Sequence, residues 1–267
     1  MRRYWDGLVR RLDRPGRRGL LVLPGSVWVS WMYRKPCLLY WRDGAWIHHY
    51  RGAKIPHRVL GRAAPPGVLT AEARDLVLHD YTPRRGDVVF DVGAGIGAEA
   101  LLLSRLVGRS GRVVSIEAHP GTHVRLAALC RANRLLNVTP LQVAVSDVEG
   151  DVVLSDIPNH LQNKLIEPGE EGVVVEARRL DSIAADLGIG HVDLLKMNIE
   201  GAEERALAGM GRMLERTRHV CISCHDFLGV PTKAAVRSFL SDNGFAVHTR
   251  DDAPQPWARD YVYGTRV

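Results

Sequence analysis

From residue 71 onward the apolar positions fall into two textures that take turns along the chain. Runs rich in Val, Ile, Leu and Phe predict strands at Val88–Val92, Arg112–Glu117, Val138–Val145, Val192–Asn198, Val220–Ser223, Phe245–Thr249 and Asp260–Thr265. Apolar residues at helical spacing predict helices at Ala71–Tyr81, Ala98–Val107, Gly121–Asn133, Leu180–Leu187, Glu203–Leu214 and Thr232–Asn243. Asp151–Leu154 and Val173–Arg179 read as a hairpin. Strands alternating with helices predict a mostly parallel sheet covered on both faces. Such a sheet binds ligands beyond the carboxyl ends of its strands.

The first 66 residues have a different pattern. Residues 1–18 suit a basic amphipathic helix, with Trp5, Leu8, Val9 and Leu12 on one side. Residues 20–60 read as short strands, because Val27, Val29 and Trp31 alternate with Trp28, Ser30 and Met32. Turns are expected at Pro24-Gly25 and Asp43-Gly44, the second closing a hairpin of Leu38–Trp41 with Ala45–His49. The stretch Gly61–Gly67 reads as a linker. The expected organisation is an extension over 1–66 and a main domain over 67–267.

The longest uncharged run, Gly19–Tyr33, is interrupted by Pro24-Gly25 and falls short of the ~20 residues a spanning helix needs. No small-x-small cleavage site follows it, so a cytoplasmic protein is expected.

With 46% apolar and 25% charged residues the chain is ordinary globular material, which excludes wholesale disorder. The net charge of +6 is unevenly placed: residues 1–60 carry thirteen Lys/Arg, three Asp/Glu and five of the six Trp. This basic aromatic segment has three candidate roles. It can cap the main domain, rest on an anionic membrane surface at the inner face, or bind nucleic acid through Arg and stacking aromatics. No RNA-binding motif is present, and the acidic remainder would repel phosphates. Cys221 and Cys224 form a C-x-x-C on a strand, which points them to opposite sides; no second pair completes a metal site, and none is expected.

The candidate chemistry begins where the first strand of the main domain ends, at Asp91-Val92-Gly93-Ala94-Gly95-Ile96-Gly97. Glycines there allow a sharp turn and close approach of backbone to ligand. The G-x-G-x-G spacing departs from the G-x-G-x-x-G pyrophosphate cradle. It suits a nucleoside ligand without phosphate, such as S-adenosylmethionine. The second strand ends in Glu117, a carboxylate placed to accept hydrogen bonds from ribose hydroxyls, as in dinucleotide enzymes.

With these features and the block Asp193-Leu194-Leu195-Lys196-Met197-Asn198-Ile199-Glu200-Gly201-Ala202-Glu203, the sequence resembles the FkbM family of S-adenosylmethionine-dependent methyltransferases. Gly111–Pro120, Ala144–Asp147 and Leu180–Ile183 also match, and the resemblance runs from about Gly67 to Gly264. It implies an α/β, Rossmann-like seven-stranded sheet and methyl transfer, usually to a hydroxyl of a sugar, glycolipid or natural product. It also implies that Asp91, Gly93 and Gly95 shape the cofactor loop, that Glu117 takes the ribose, and that Ala94, Gly97, Ala118 and Asn198 belong to the cofactor site. Ser146 and Asp147 would lie near the adenine, and Glu72 near the methionine end. Asn198 stands where the family usually has Asp, which argues against a metal-assisted mechanism.

An alcohol is a poor nucleophile, so a base within hydrogen-bond reach should help. His225, in Cys224-His225-Asp226 after the fifth strand, has a suitable intrinsic pKa, and Asn198 and Glu200 are expected to line the reaction pocket. His160, Gln162, Asn163 and Lys164 would belong to a substrate lid. Two other readings stay open: a nucleic-acid methyltransferase using the basic arm, and a cofactor-binding scaffold without turnover.

Overall fold

The computed structural model describes residues 7, 9, 11–155, 165–166, 172–224 and 231–267. The chain divides into two compact units, Met1–Ala71 with Arg131–Arg134, and Glu72–Cys130 with Leu135–Val267.

In the first unit, helix α1 (Gly19–Tyr33) precedes a three-stranded antiparallel sheet of β1 (Cys37–Arg42), β2 (Ala45–Tyr50) and β3 (Ala53–His57). The expected hairpin forms, with Leu38 opposite His49 and Trp41 opposite Trp46. Asp43 and Gly44 turn it with positive φ at both positions.

Gly19–Tyr33 corrects the strand reading of its sequence. The run is apolar at almost every position, so alternation carried no information about which face is buried. The buried positions are Leu21, Gly25 and Val29, four residues apart. Ser26 and Ser30, also four apart, take the amides of Leu39 and Cys37 in β1 on their hydroxyl oxygens. The Cys37 and Leu39 amides lie about 7 Å apart along β1, which matches the ~6 Å rise between i and i+4 of a helix and not the ~13 Å of a strand. Gly25 is a close approach: a Cβ there would stand 2.9 Å from Leu39 Cδ1. Pro24 sits inside the helix, which forgoes one amide there. Upstream, Gly7, Val9, Arg11 and Leu12 are helical; Trp5 and Leu8 lie outside the described residues.

The second unit holds helix α2 (Pro66–Leu76, shared across the boundary), then β4 (Val88–Val92), α3 (Ala98–Val107), β5 (Arg112–Ile116), α4 (Pro120–Asn133) and β6 (Val138–Leu141). A small sheet follows, built from β7 (Ala144–Val145), β8 (Gly150–Leu154), β9 (Leu165–Ile166) and β10 (Val173–Arg178). Then come α5 (Leu180–Asp186), β11 (Val192–Met197), α6 (Glu203–Ala208), α7 (Arg212–Glu215), β12 (Thr217–Ser223), α8 (Lys233–Asp242), β13 (Phe245–Thr249), α9 (Pro256–Arg259) and β14 (Tyr261–Arg266).

Seven strands make the main sheet in the order β13-β14-β12-β11-β4-β5-β6. Only β14 runs antiparallel to its neighbours. Alternation along the central strands feeds two cores: Phe90, Val92, Val114, Leu195 and Met197 enter one, and Val89, Val113 and Leu194 the other.

Two expected elements are split. Val138–Val145 divides because Ala144 and Val145 pair with β10 in the small sheet rather than continuing beside β5. Glu203–Leu214 divides at Gly209, where a Cβ would stand 2.1 Å from the Ser146 carbonyl oxygen. The expected hairpin is present, with Leu154 opposite Val173.

Candidate functional site

The carboxyl ends of β4 and β11 meet at the glycine loop. The Asn198 amide extends the β11–β4 ladder by donating to the Val92 carbonyl at 3.0 Å. Gly93, Gly95 and Gly97 all have positive φ. A Cβ on Gly93 would stand 1.8 Å from the Asn198 carbonyl oxygen, and one on Gly97 2.8 Å from Leu126 Cδ1. A Cβ on Gly95 would meet nothing within 4 Å. The outer two glycines are therefore packed from behind, and the middle one has an open side.

The loop amides are fixed from the neighbouring strand. Gly93 and Ala94 both donate to the Ile116 carbonyl at 2.9 Å, and Gly95 donates to Glu117 Oε2 at 2.9 Å. Glu117 Oε1 accepts the His119 amide at 3.0 Å. Burial raises the pKa of Glu117 above the usual range for Glu; these two amides and Lys196 offset only part of that. Ala118 is half-buried beside it, and Ala94 is buried.

Beneath the loop lies a polar row. Ser115, Asp91 and Lys196 are partners in register on three adjacent strands, so the period of two puts them on one face. Lys196 Nζ lies 2.9 Å from Asp91 Oδ1 and donates to the Gly93 carbonyl at 2.8 Å. Ser115 Oγ donates to Asp91 Oδ2 at 3.3 Å. Burial alone would lower the Lys196 pKa; the Asp91 charge, aided by Glu99, outweighs it and the net shift is upward. Asp91 is fully buried, so its carboxylate shapes the loop through Lys196.

Sequence reasoning missed Lys196. Its signal was present: β11 is buried at all six positions, and a cation inside such a strand must have a partner.

After β11 the chain makes a strained turn. Glu200 has φ +55°, rare for a residue with a side chain, and Gly201 follows at +96°. Fully buried Glu203 clamps this turn: Oε1 accepts the Gly201 amide at 3.1 Å and the Ile199 amide at 3.4 Å. Its Oε2 and the Cys224 carbonyl share the Thr232 hydroxyl. The clamp ties the end of β11 to the end of β12. Asn198 Oδ1 is buried and has no hydrogen-bond partner among the described residues.

Ser146 is fully buried, and its hydroxyl donates to Asp147 Oδ1 at 2.9 Å. Arg205 Nε donates to the same oxygen at 3.0 Å. Burial opposes the charge on Asp147, but these hydrogen bonds prevail and lower its pKa. A groove of ≈ 370 Å³ runs from Asp147 between α6 and α8, past Arg205, Leu207, Val236 and Phe239. His225, Asp226, His160, Gln162, Asn163, Lys164 and the side chain of Glu72 lie outside the described residues.

The sheet order, the glycine loop and the acid one strand away define an α/β domain built for a nucleoside cofactor. The chain belongs to the FkbM methyltransferase family: the methyltransferase FkbM domain matches residues 91–247, more than half its length. The methyl donor of this family is S-adenosylmethionine.

Methyltransferase sdnD of Sordaria araneosa is 27% identical over 206 residues, covering 64% of this chain and 77% of its own. The 31-O-demethyl-FK506 methyltransferase FkbM of Streptomyces tacrolimicus is 28% identical over 209 residues, covering 65% and 78%. The 2-O-methyltransferase NoeI of Sinorhizobium fredii is 28% identical over 153 residues, covering 50% of this chain and 61% of its own.

The residues present fit this cofactor. Gly95 leaves room on its outer side, Glu117 offers a carboxylate beside it, and no Lys or Arg is placed on the loop for a phosphate.

Proposed function

We propose that the chain methylates a hydroxyl oxygen on a sugar, glycolipid or natural-product acceptor. The observation that carries this reading is the buried, unpartnered Oδ1 of Asn198 at the carboxyl end of β11. A buried acceptor atom without a donor costs free energy, and an acceptor hydroxyl supplies the missing donor. The oxygen lone pairs of that hydroxyl are then turned away from Asn198. The NoeI and FK506 relatives, both O-methyltransferases by name, support the same choice.

Bound at the glycine loop, S-adenosylmethionine supplies an electrophilic methyl group on a sulfonium. In this reading Glu117 accepts the ribose hydroxyls, Gly95 lies against the nucleoside, and Ser146 and Asp147 border the adenine. Holding the hydroxyl in line contributes much of the rate. His225 is the proposed base: the hydroxyl proton, given to Asn198 Oδ1 as the acceptor binds, passes to the imidazole as the oxygen takes the methyl group, and Glu200 lines the pocket from the turn that Glu203 clamps.

The test is a panel of sugar, glycolipid and polyketide alcohols, read by mass spectrometry for methyl ether formation. The expected result is a methyl ether on at least one acceptor class, with turnover reduced about 10²–10⁴-fold in His225→Ala. Transfer confined to nitrogen or carbon, or to RNA, overturns the reading. So does turnover unchanged in His225→Ala for the role of that residue.

A further inference from the structure

Helix α1 leaves one face uncovered. Leu20, Leu23, Val27 and Trp31 recur at spacings of three and four, so they line one side of the helix. They are 64%, 74%, 71% and 67% exposed. The other side, with Leu21, Gly25 and Val29, is already packed. No residue from Gly19 to Tyr33 is charged. A helix apolar all round is ordinarily covered all round. Isolated exposed apolar residues are normal, but four in a continuous stripe mark an interaction surface.

The ends of the helix carry the complementary information. Arg11, Arg14 and Arg17 precede it, and Arg34 and Lys35 follow. All five are exposed, and no ion pair among the described residues involves them. Among the described residues the neighbouring acids are already engaged: Asp13 with Arg18 and the Trp46 ring N–H, and Asp43 with Arg42.

At about 1.5 Å per residue the helix is about 22 Å long, short of the ~30 Å hydrocarbon core. No helix among the described residues is long and apolar enough to cross a membrane. The apolar stripe therefore suits the plane of an interface rather than a span.

We propose that α1 lies flat in the surface of an anionic lipid bilayer. Leu20, Leu23, Val27 and Trp31 enter the acyl boundary, and the five cations meet headgroup phosphates. A second copy of the chain is the competing cover. A two-fold contact through this face would bring two sets of five like charges together, whereas an anionic surface neutralises them. Trp at the end of the stripe suits the headgroup level.

The full chain is tested by co-sedimentation with vesicles of phosphatidylcholine alone, and with about 30% phosphatidylglycerol added. The bound fraction should rise at least about tenfold with the anionic lipid and fall as salt is raised. Leu23→Asp with Val27→Asp should abolish binding while the far-ultraviolet circular dichroism is kept. Should the aspartates unfold the helix, Arg14→Ser with Arg17→Ser at exposed positions should lower anionic binding alone.

Folded chain that stays in the supernatant with anionic vesicles overturns the proposal. So does binding that neither pair of substitutions lowers. Concentration-dependent dimerisation that Val27→Asp abolishes assigns the face to a second copy and also overturns it. The experiment needs neither cofactor nor acceptor, so its outcome is separate from that of the O-methylation reading.

Discussion

The Asn198 carbonyl oxygen occupies the space where a side chain on Gly93 would begin: a Cβ there would lie 1.8 Å away. Gly95, two residues on, has positive φ but open space. These two glycines therefore predict opposite outcomes. Gly93→Ala must push β11 from β4 and should cost at least about 2 kcal/mol in urea unfolding. Gly95→Ala should cost only the ~1 kcal/mol of left-handed strain, yet should weaken S-adenosylhomocysteine binding at least tenfold by filling the open side. Equal effects of the two on affinity and stability would contradict this division.

Lys196 is expected to hold the loop from below. Lys196→Met leaves Asp91 charged and buried without its partner, a change that typically costs about 3–5 kcal/mol. Lys196→Met with Asp91→Leu removes both charges and should recover much of that loss. A thermodynamic cycle of the two single variants and the double measures the coupling. Additive losses would show that the pair does not act as one.

Cofactor affinity should fall in acid through Glu117. Burial raises the folded pKa of this carboxyl above the ordinary 4.5 of a Glu. Ribose hydroxyls need the carboxylate as acceptor, so affinity is full above the folded value and falls as pH drops through it. Binding near that pH releases a proton. In the cofactor-free chain, the raised pKa makes a stability contribution that is fully present below the unfolded value. That contribution is lost as pH rises through the folded value. Titration of S-adenosylhomocysteine from pH 8 into the acid range, in two buffers of different ionisation enthalpy, reads both effects. Glu117→Gln should remove the pH dependence; affinity that tracks pH equally in that variant would contradict the assignment.

Glu203 is expected to act through the turn it clamps. Glu203→Ala leaves the Gly201 and Ile199 amides short of an acceptor, while the Thr232 hydroxyl keeps the Cys224 carbonyl, and should cost about 1–3 kcal/mol. Turnover should fall more than S-adenosylhomocysteine affinity, because Asn198 and Glu200 lie on that turn while Glu117 does not. Loss of affinity equal to loss of turnover would place the clamp in cofactor binding instead.

The main sheet was legible because its signals are local. Val88–Val92 and Phe245–Thr249 have the expected bounds, and most other strands shift by one residue. Spacing and strand ends placed Asp91, the glycines and Glu117 around one loop, and the structure has them there. Lys196 and Glu203 act across the sheet and across a turn, and pairwise registers of that kind are not written in a single strand. The buried pairing of Asp91 follows from the same cross-strand register. Gly19–Tyr33 misled because a run apolar at nearly every position shows no period. Its helix is decided by Ser26 and Ser30 reaching β1, a tertiary contact.

Calorimetric titration of the full chain with S-adenosylhomocysteine, with NAD as the control, decides whether this glycine loop holds S-adenosylmethionine. One site with an affinity in the micromolar range, none for NAD, and binding at least tenfold weaker in Gly95→Ala are expected. A folded chain that binds neither, or that binds NAD in preference, would contradict that reading.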